Sequence, residues 1–201
     1  MDNNTLWVEK FRPETIEDCI LPNEIKTTFQ SIVDSGEIPN LLLTGSPGIG
    51  KTTVAKALCN QLDCDSIMIN GSDEGRMIDT LRTTVVNYAS TVSLSGGKKV
   101  IIIDEADYMN KDSVQPALRG VIEEFSKNCR FIFTCNFKNR IIPALHSRCS
   151  VVDFVISKDS KPTVAMNMLE NTKRILDKES VKYDEKVLAD LILKYFPKKN
   201  G

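Results

Sequence analysis

An α/β fold with a five-stranded parallel sheet flanked by helices, followed by the start of a small helical domain, is what the sequence predicts. Three observations carry that expectation. Short runs rich in β-branched and aromatic residues alternate with helical patterns. One of those runs, "VIII" at Val100 to Ile103, is apolar without interruption, as a strand buried on both faces is. After Ser157 the alternation stops and the texture becomes helical.

Five runs read as strands: "NLLLTG" (Asn40 to Gly45), "SIMIN" (Ser66 to Asn70), "KVIIID" (Lys99 to Asp104), "RFIFTCN" (Arg130 to Asn136) and "SVVDFVI" (Ser150 to Ile156). Between them, "KTTVAKALCNQL", "RMIDTLRTTVVNYAS" and "SVQPALRGVIEEFS" repeat apolar residues at three- and four-residue spacing, the period of a helix laid on a sheet. Pro116 falls early in the third of these, where its missing N–H fits a first turn or a kink. The segment "KPTVAMNMLENTKRILDKESVKYDEKVLADLILKYF" reads as helix throughout, with Met166, Leu169, Ile175 and Leu176 on one side. The expected division is residues 1–157 as an α/β domain and 158–201 as the beginning of a helical domain.

At 201 residues and 41% hydrophobic, the chain can bury one good core and begin a second domain. A net charge of −1 and a pI near 5.9 exclude a broadly basic nucleic-acid coat, so any DNA contact would come from a local patch. No apolar run approaches the roughly 20 residues that span a bilayer. The start "MDNNTLWVEKFRP" is acidic and polar where a secretion signal would be basic and then apolar, so no membrane partner and a cytoplasmic location are expected. Cys19, Cys59, Cys64, Cys129, Cys135 and Cys149 form no CxxC pair and His146 is the single histidine, so reduced, mostly buried thiols are expected rather than a metal cluster.

"GSPGIGKT" follows a strand and opens a helix, the context that the phosphate-binding pattern GxxxxGK(S/T) needs. Gly45, Ser46, Pro47, Gly48, Ile49 and Gly50 would bring backbone N–H groups around an anionic oxygen at a helix N-terminus. Lys51 would reach the β- and γ-phosphates of ATP, Thr52 would offer its hydroxyl to Mg²⁺, and Thr53 would complete the loop. "VIIIDE" ends a buried strand on two carboxylates at the edge of the sheet where ligands of open α/β folds collect. Asp104 would hold Mg²⁺, directly or through water, and Glu105 would orient and deprotonate the attacking water. Asn136, at the end of "FIFTCN", suits a group that holds that water or senses the γ-phosphate; the alternative is a turn residue closing a strand. Arg148 in "LHSRC" reads, from its local context alone, as a surface arginine.

Taken together, "WVEKFRPETIEDCILP", "GSPGIGKTT", "NGSDEGRMIDTLR", "IIIDEADYMN", "QPALRGVIEEFSKNCRFIFTCN" and "IIPALHSRC" resemble, in order and spacing, the sliding-clamp loader ATPases of the AAA+ superfamily. The resemblance runs from Leu6 to about Phe196. It looks most like the ATPase subunit of the loader of large tailed bacteriophages, and it is similar to cellular replication factor C small subunits; a phage protein would act in the host bacterial cytoplasm. The resemblance implies that Val8 and Arg12 border the adenine and that Arg148 is an arginine finger reaching the ATP of a neighbouring subunit. It further implies that Arg82 and Arg119 face DNA. The implied partners are sister subunits in a hetero-oligomeric ring, a sliding clamp and primer–template DNA. The family continues into the rest of the lid and a collar domain, so the expectation for this chain alone is weak nucleotide binding and poor oligomerisation. The "DEAD" at Asp104 to Asp107 also spells a helicase motif, but such helicases need a second motor domain. A P-loop kinase would not account for Asn136 with Arg148, and a non-hydrolysing scaffold would not account for intact Lys51, Thr52, Asp104 and Glu105.

Overall fold

The computed structural model describes residues 6–73, 77–91 and 97–195. In chain order its elements are helix α1 (Trp7–Lys10), α2 (Asn23–Ser35), strand β1 (Leu41–Gly45), α3 (Lys51–Gln61), β2 (Asp65–Asn70), α4 (Met77–Thr80), α5 (Val86–Ser90), β3 (Lys99–Asp104), α6 (Val114–Glu124), β4 (Cys129–Cys135), α7 (Pro143–His146), β5 (Ser150–Phe154), α8 (Lys161–Lys178) and α9 (Glu185–Tyr195). A π-helical turn, Leu81–Val85, joins α4 to α5, and short 3₁₀ turns cover Ala106–Tyr108 and Lys138–Arg140.

The strands form one parallel sheet in the order β2-β3-β4-β1-β5, as the alternating pattern predicted. The apolar runs occupy its middle: Val100 to Ile103 of β3 and Phe131 to Phe133 of β4 are buried, and the rings of Phe131 and Phe133 stack at 6.2 Å. Edge strand β2 shows the opposite economy, with Ile67 and Ile69 half-buried and Met68 between them exposed. Helix α6 buries Val114, Leu118, Val121 and Ile122, a stripe of i, i+4, i+7 and i+8 that packs into the core with Phe131 and Phe133. Pro116 is its third residue, inside the first turn.

The helical reading needs three corrections. Helix α2 was not expected, although Ile25 and Phe29 are one helical turn apart and both buried, with Phe29 6.0 Å from Phe154. The expected helix "RMIDTLRTTVVNYAS" is interrupted by the π turn. There the β-branched run Thr83 to Val86 disfavours regular helix, and the Thr83 hydroxyl bonds back to the Asp79 carbonyl at 2.7 Å. The C-terminal segment is two helices. Ser180 adopts φ +55 and donates to Asp177, while Val181 donates to Leu176, a left-handed termination of α8. Asp184 then caps α9 by accepting the N–H groups of Lys186 and Val187.

The chain divides into two compact units. One is formed by Pro13–Cys19 with Ile25–Val155 and contains the sheet. The other comprises the described residues within Met1–Arg12, Ile20–Glu24 and Ile156–Gly201, where Lys10 pairs with Glu179 at 2.5 Å. No helix among the described residues is long and apolar enough to cross a membrane.

Candidate active site

The sheet's order makes the site. Strand β1 lies between β4 and β5, so the chain leaving β1 crosses toward β2 while the chain leaving β4 crosses past β1 to β5. Connections diverging from one strand end open a crevice at the carboxyl edge. Gly45 ends β1 at φ +151, and a Cβ there would stand 2.6 Å from the Phe154 carbonyl oxygen, so only glycine lets β5 lie this close. Gly48 and Gly50 are also left-handed, and space is open where their Cβ atoms would be. Helix α3 starts at Lys51 with no side-chain cap, leaving its first N–H groups and the positive end of its dipole at the loop.

Lys51 is buried, and its ammonium donates to the carbonyls of Gly45 at 2.7 Å and Ser46 at 2.9 Å and to Oδ1 of Asn136 at 2.9 Å. These acceptors are neutral. Desolvation accordingly pulls the Lys51 pKa below its ordinary value, with Cys135, Asp107 and Asp104 acting in the opposite sense. Thr52 Oγ1 donates to Asp104 Oδ1 at 2.7 Å, and Thr134 Oγ1 donates to the same oxygen at 2.5 Å. Glu105 takes a left-handed conformation, φ +54, unusual for a residue with a side chain, and its N–H donates to Thr134 Oγ1 at 3.1 Å. The N–H of Gly71 reaches the Asp104 carbonyl at 2.7 Å, and a Cβ on Gly71 would meet the Glu105 carbonyl at 2.9 Å.

A cleft of about 280 Å³ results, lined by Pro47, Gly48, Ile49, Gly50, Lys51, Thr52 and Thr53 of the loop and by Asp104, Glu105, Thr134, Cys135 and Asn136 of the neighbouring strand ends. Loop, carboxylates and Asn136 are therefore brought together, while Gly45 and Ser46 serve through their carbonyls. The donor set fits a triphosphate with Mg²⁺. The buried Lys51 ammonium, held by neutral oxygens, gains from an anion, and Mg²⁺ characteristically takes one or two carboxylate or hydroxyl oxygens and completes its shell with phosphate and water.

Arg148 and Arg119 are not among the residues that line the cleft. Arg148 sits between α7 and β5, donating to Ala144 at 2.6 Å and forming an ion pair with Glu123. Arg119 of α6 approaches the same Glu123 carboxylate at 3.6 Å, and the two guanidinium groups, Arg148 foremost, hold that carboxyl below its usual pKa. Val8 is exposed on α1, and Arg12 pairs with Glu9 at 2.5 Å. Arg82 falls in the π turn, with its side chain outside the described residues.

Sequence reasoning passed over three contributors. Thr134 stands two residues before Asn136, and alternation along β4 could have placed both on one face. Asp107, buried, accepts the N–H groups of Asn136 at 3.3 Å and Phe137 at 3.2 Å; it is the last letter of "DEAD", which had been set aside. Glu123 carries no sequence signal beyond its i, i+4 spacing from Arg119.

Comparison with known proteins places this cleft in context. The model of the ATPase family associated with various cellular activities (AAA) matches residues 41–157, and that of the Rad17 P-loop domain matches residues 1–74. The chain is 43% identical over 192 residues to the sliding-clamp-loader large subunit of Enterobacteria phage T4, covering 94% of this chain and 60% of that protein. It is 37% identical over 196 residues to the replication factor C small subunit of Methanoculleus marisnigri, covering 94% and 58%. The chain thus spans about three-fifths of the length of these relatives. The RuvB Holliday junction branch migration motor of Thermotoga maritima superposes with a TM-score of 0.72 at 20% identity, covering 90% of this chain and 59% of that one, a likeness of fold alone. The AAA match takes in β1, the phosphate loop, the Asp104–Glu105 carboxylates and Asn136, and the chain belongs to the AAA family of ATPases.

Proposed function

We propose that the chain is an ATP-hydrolysing subunit of a sliding-clamp loader, acting in DNA replication to place a ring-shaped clamp on primer–template DNA. The hydrogen-bonded set of Lys51 with Asn136 and Thr52 with Asp104 in one cleft carries the nucleotide part of this reading. The phage T4 relative, named for clamp loading and matched along 94% of this chain, supports the rest.

In this reading the loop from Gly45 to Thr53 wraps the phosphates, and the Lys51 ammonium exchanges the Gly45 and Ser46 carbonyls for phosphate oxygens. Thr52 and Asp104 hold Mg²⁺, which when bound neutralises charge on the β- and γ-phosphates. Glu105 accepts a proton from the attacking water as its oxygen bonds to the γ-phosphorus and the bond to the leaving ADP breaks. Asn136 orients that water or reports the γ-phosphate to Lys51. Val8 and Arg12 border the adenine. Arg148 leaves Glu123 and serves the ATP of a neighbouring subunit, so hydrolysis follows assembly. Arg82 and Arg119 contact DNA phosphates. ATP and DNA both favour the assembled state, and loss of the γ-phosphate releases it. "DEAD" is then the end of β3 and its turn, not a helicase signature.

The test is ATP hydrolysis by this chain with its sister subunits, with and without clamp and primed DNA. Stimulation by clamp and DNA together, lost in Arg148→Ala and without strand separation, is expected. Stimulation by single-stranded DNA alone, with unwinding and indifference to a clamp, would overturn it.

A further inference from the structure

We infer that Thr134 is a positioning residue for the nucleotide site, one hydroxyl setting both the Asp104 carboxylate and the Glu105 backbone; the inference rests on the ATPase reading above. The register of β3 and β4 pairs Ile103 with Phe133, which puts Thr134 beside Asp104 at the carboxyl end of the sheet. Thr134 is buried, at 2% exposure, so its hydroxyl must find partners within the protein. It finds two. The Glu105 N–H can only donate, so Thr134 Oγ1 accepts there, at 3.1 Å, and its single proton points to Asp104 Oδ1 at 2.5 Å.

Both consequences bear on chemistry. Asp104 Oδ1 accepts two hydroxyls, from Thr52 and Thr134, and of these only Thr52 has to turn toward a metal ion. Thr134 is then the group that keeps the carboxylate aimed while Thr52 changes partner, as second-layer hydrogen bonds to metal-binding carboxylates do. Glu105 sits at φ +54, a conformation that persists only where neighbours fix it, and the bond to Thr134 is one such fixing contact. Packing alone would be satisfied by valine, which has the same shape and equal suitability for a strand. The hydroxyl is what the site uses.

The test compares Thr134→Val, which keeps shape and removes the hydroxyl, with Thr134→Ser, which keeps the hydroxyl. Each protein is titrated with a fluorescent ATP analogue over a range of Mg²⁺ concentrations, with a thermal melt alongside. Thr134→Val is expected to need about tenfold more Mg²⁺ for the tightened state, with Thr134→Ser returned to the wild-type value. Wild-type Mg²⁺ response in Thr134→Val would overturn the inference, as would equal impairment of both variants or weakening that merely tracks a lowered melting temperature. A wild-type protein that, even together with its sister subunits, binds no analogue at any Mg²⁺ concentration would overturn the ATPase reading itself, an outcome distinct from the others.

Discussion

Asp107 shows how much of the site is held from behind. Its buried carboxylate accepts two backbone N–H groups, those of Asn136 and Phe137, just where β4 delivers Asn136 to Lys51. Asp107→Ala leaves both N–H groups without their acceptor, and at about 1–3 kcal/mol for a buried unsatisfied group, less for the donor of the exposed Phe137, the expected loss is roughly 2–4 kcal/mol in urea unfolding. Asp107→Asn keeps one acceptor oxygen and should lose less; equal stability of wild type and Asp107→Ala would show that the contacts contribute nothing. Thiols give a second residue-scale prediction. Burial pushes Cys59 and Cys149 up to about 12 and Cys19 and Cys129 to about 11, from an ordinary 9.0. The unfolded chain therefore releases these protons first, so their contribution is complete below pH 9.0 and is lost as pH rises through the folded values. Lys51 works the other way, since its lowered pKa makes the unfolded chain hold the proton longer and stability rise with pH up to 10.5. Four thiols outweigh one amine, and the urea midpoint under reducing conditions should fall between pH 9 and 11, less steeply in Cys59→Ala.

Glycines separate elements that could be improved from elements that could not. Gly120 is exposed in α6 and an added Cβ would meet nothing within 4 Å. Gly120→Ala should stabilise the chain by about 1 kcal/mol, the helix-propensity difference, raising the urea midpoint with the slope unchanged. Gly71→Ala is the contrast. Its Cβ meets the carbonyls of Glu105 at 2.9 Å and Asp104 at 3.0 Å, so the turn carrying both carboxylates must shift, and nucleotide binding should weaken more than folding does. The same distinction explains what was legible beforehand. Strands announced themselves because interior strands of a parallel sheet are apolar on both faces, and "VIIID" spans most of β3. The phosphate loop was legible because its chemistry fixes residue types at fixed spacing. The π turn was not, since it arises from β-branched crowding and one back-bonded threonine hydroxyl within an otherwise helical period. Thr134, Asp107 and Glu123 were missed because each acts across strands or helices, at separations of 25 to 30 residues that no local pattern reports.

At the scale of the molecule, the guanidinium expected to act on a neighbour's ATP is occupied at home. Glu123 holds Arg148, with Arg119 on the same carboxylate, so assembly has to offer Arg148 a better anion than a solvent-exposed glutamate, and a triphosphate is one. If Arg148 serves a neighbour's site while Lys51 serves its own, the two defects should complement. Lys51→Ala subunits cannot bind nucleotide productively but still present Arg148; Arg148→Ala subunits bind it but present no finger. Each variant alone, assembled with clamp, primed DNA and sister subunits, should fall about 10³-fold or more in hydrolysis rate. In an assembly holding several adjacent copies, a one-to-one mixture should recover activity at roughly a quarter of the interfaces, those where an Arg148→Ala site faces a Lys51→Ala neighbour. Recovery requires that the finger cross between subunits. A mixture no more active than either variant alone would mean that Arg148 acts within its own chain or stays with Glu123 throughout.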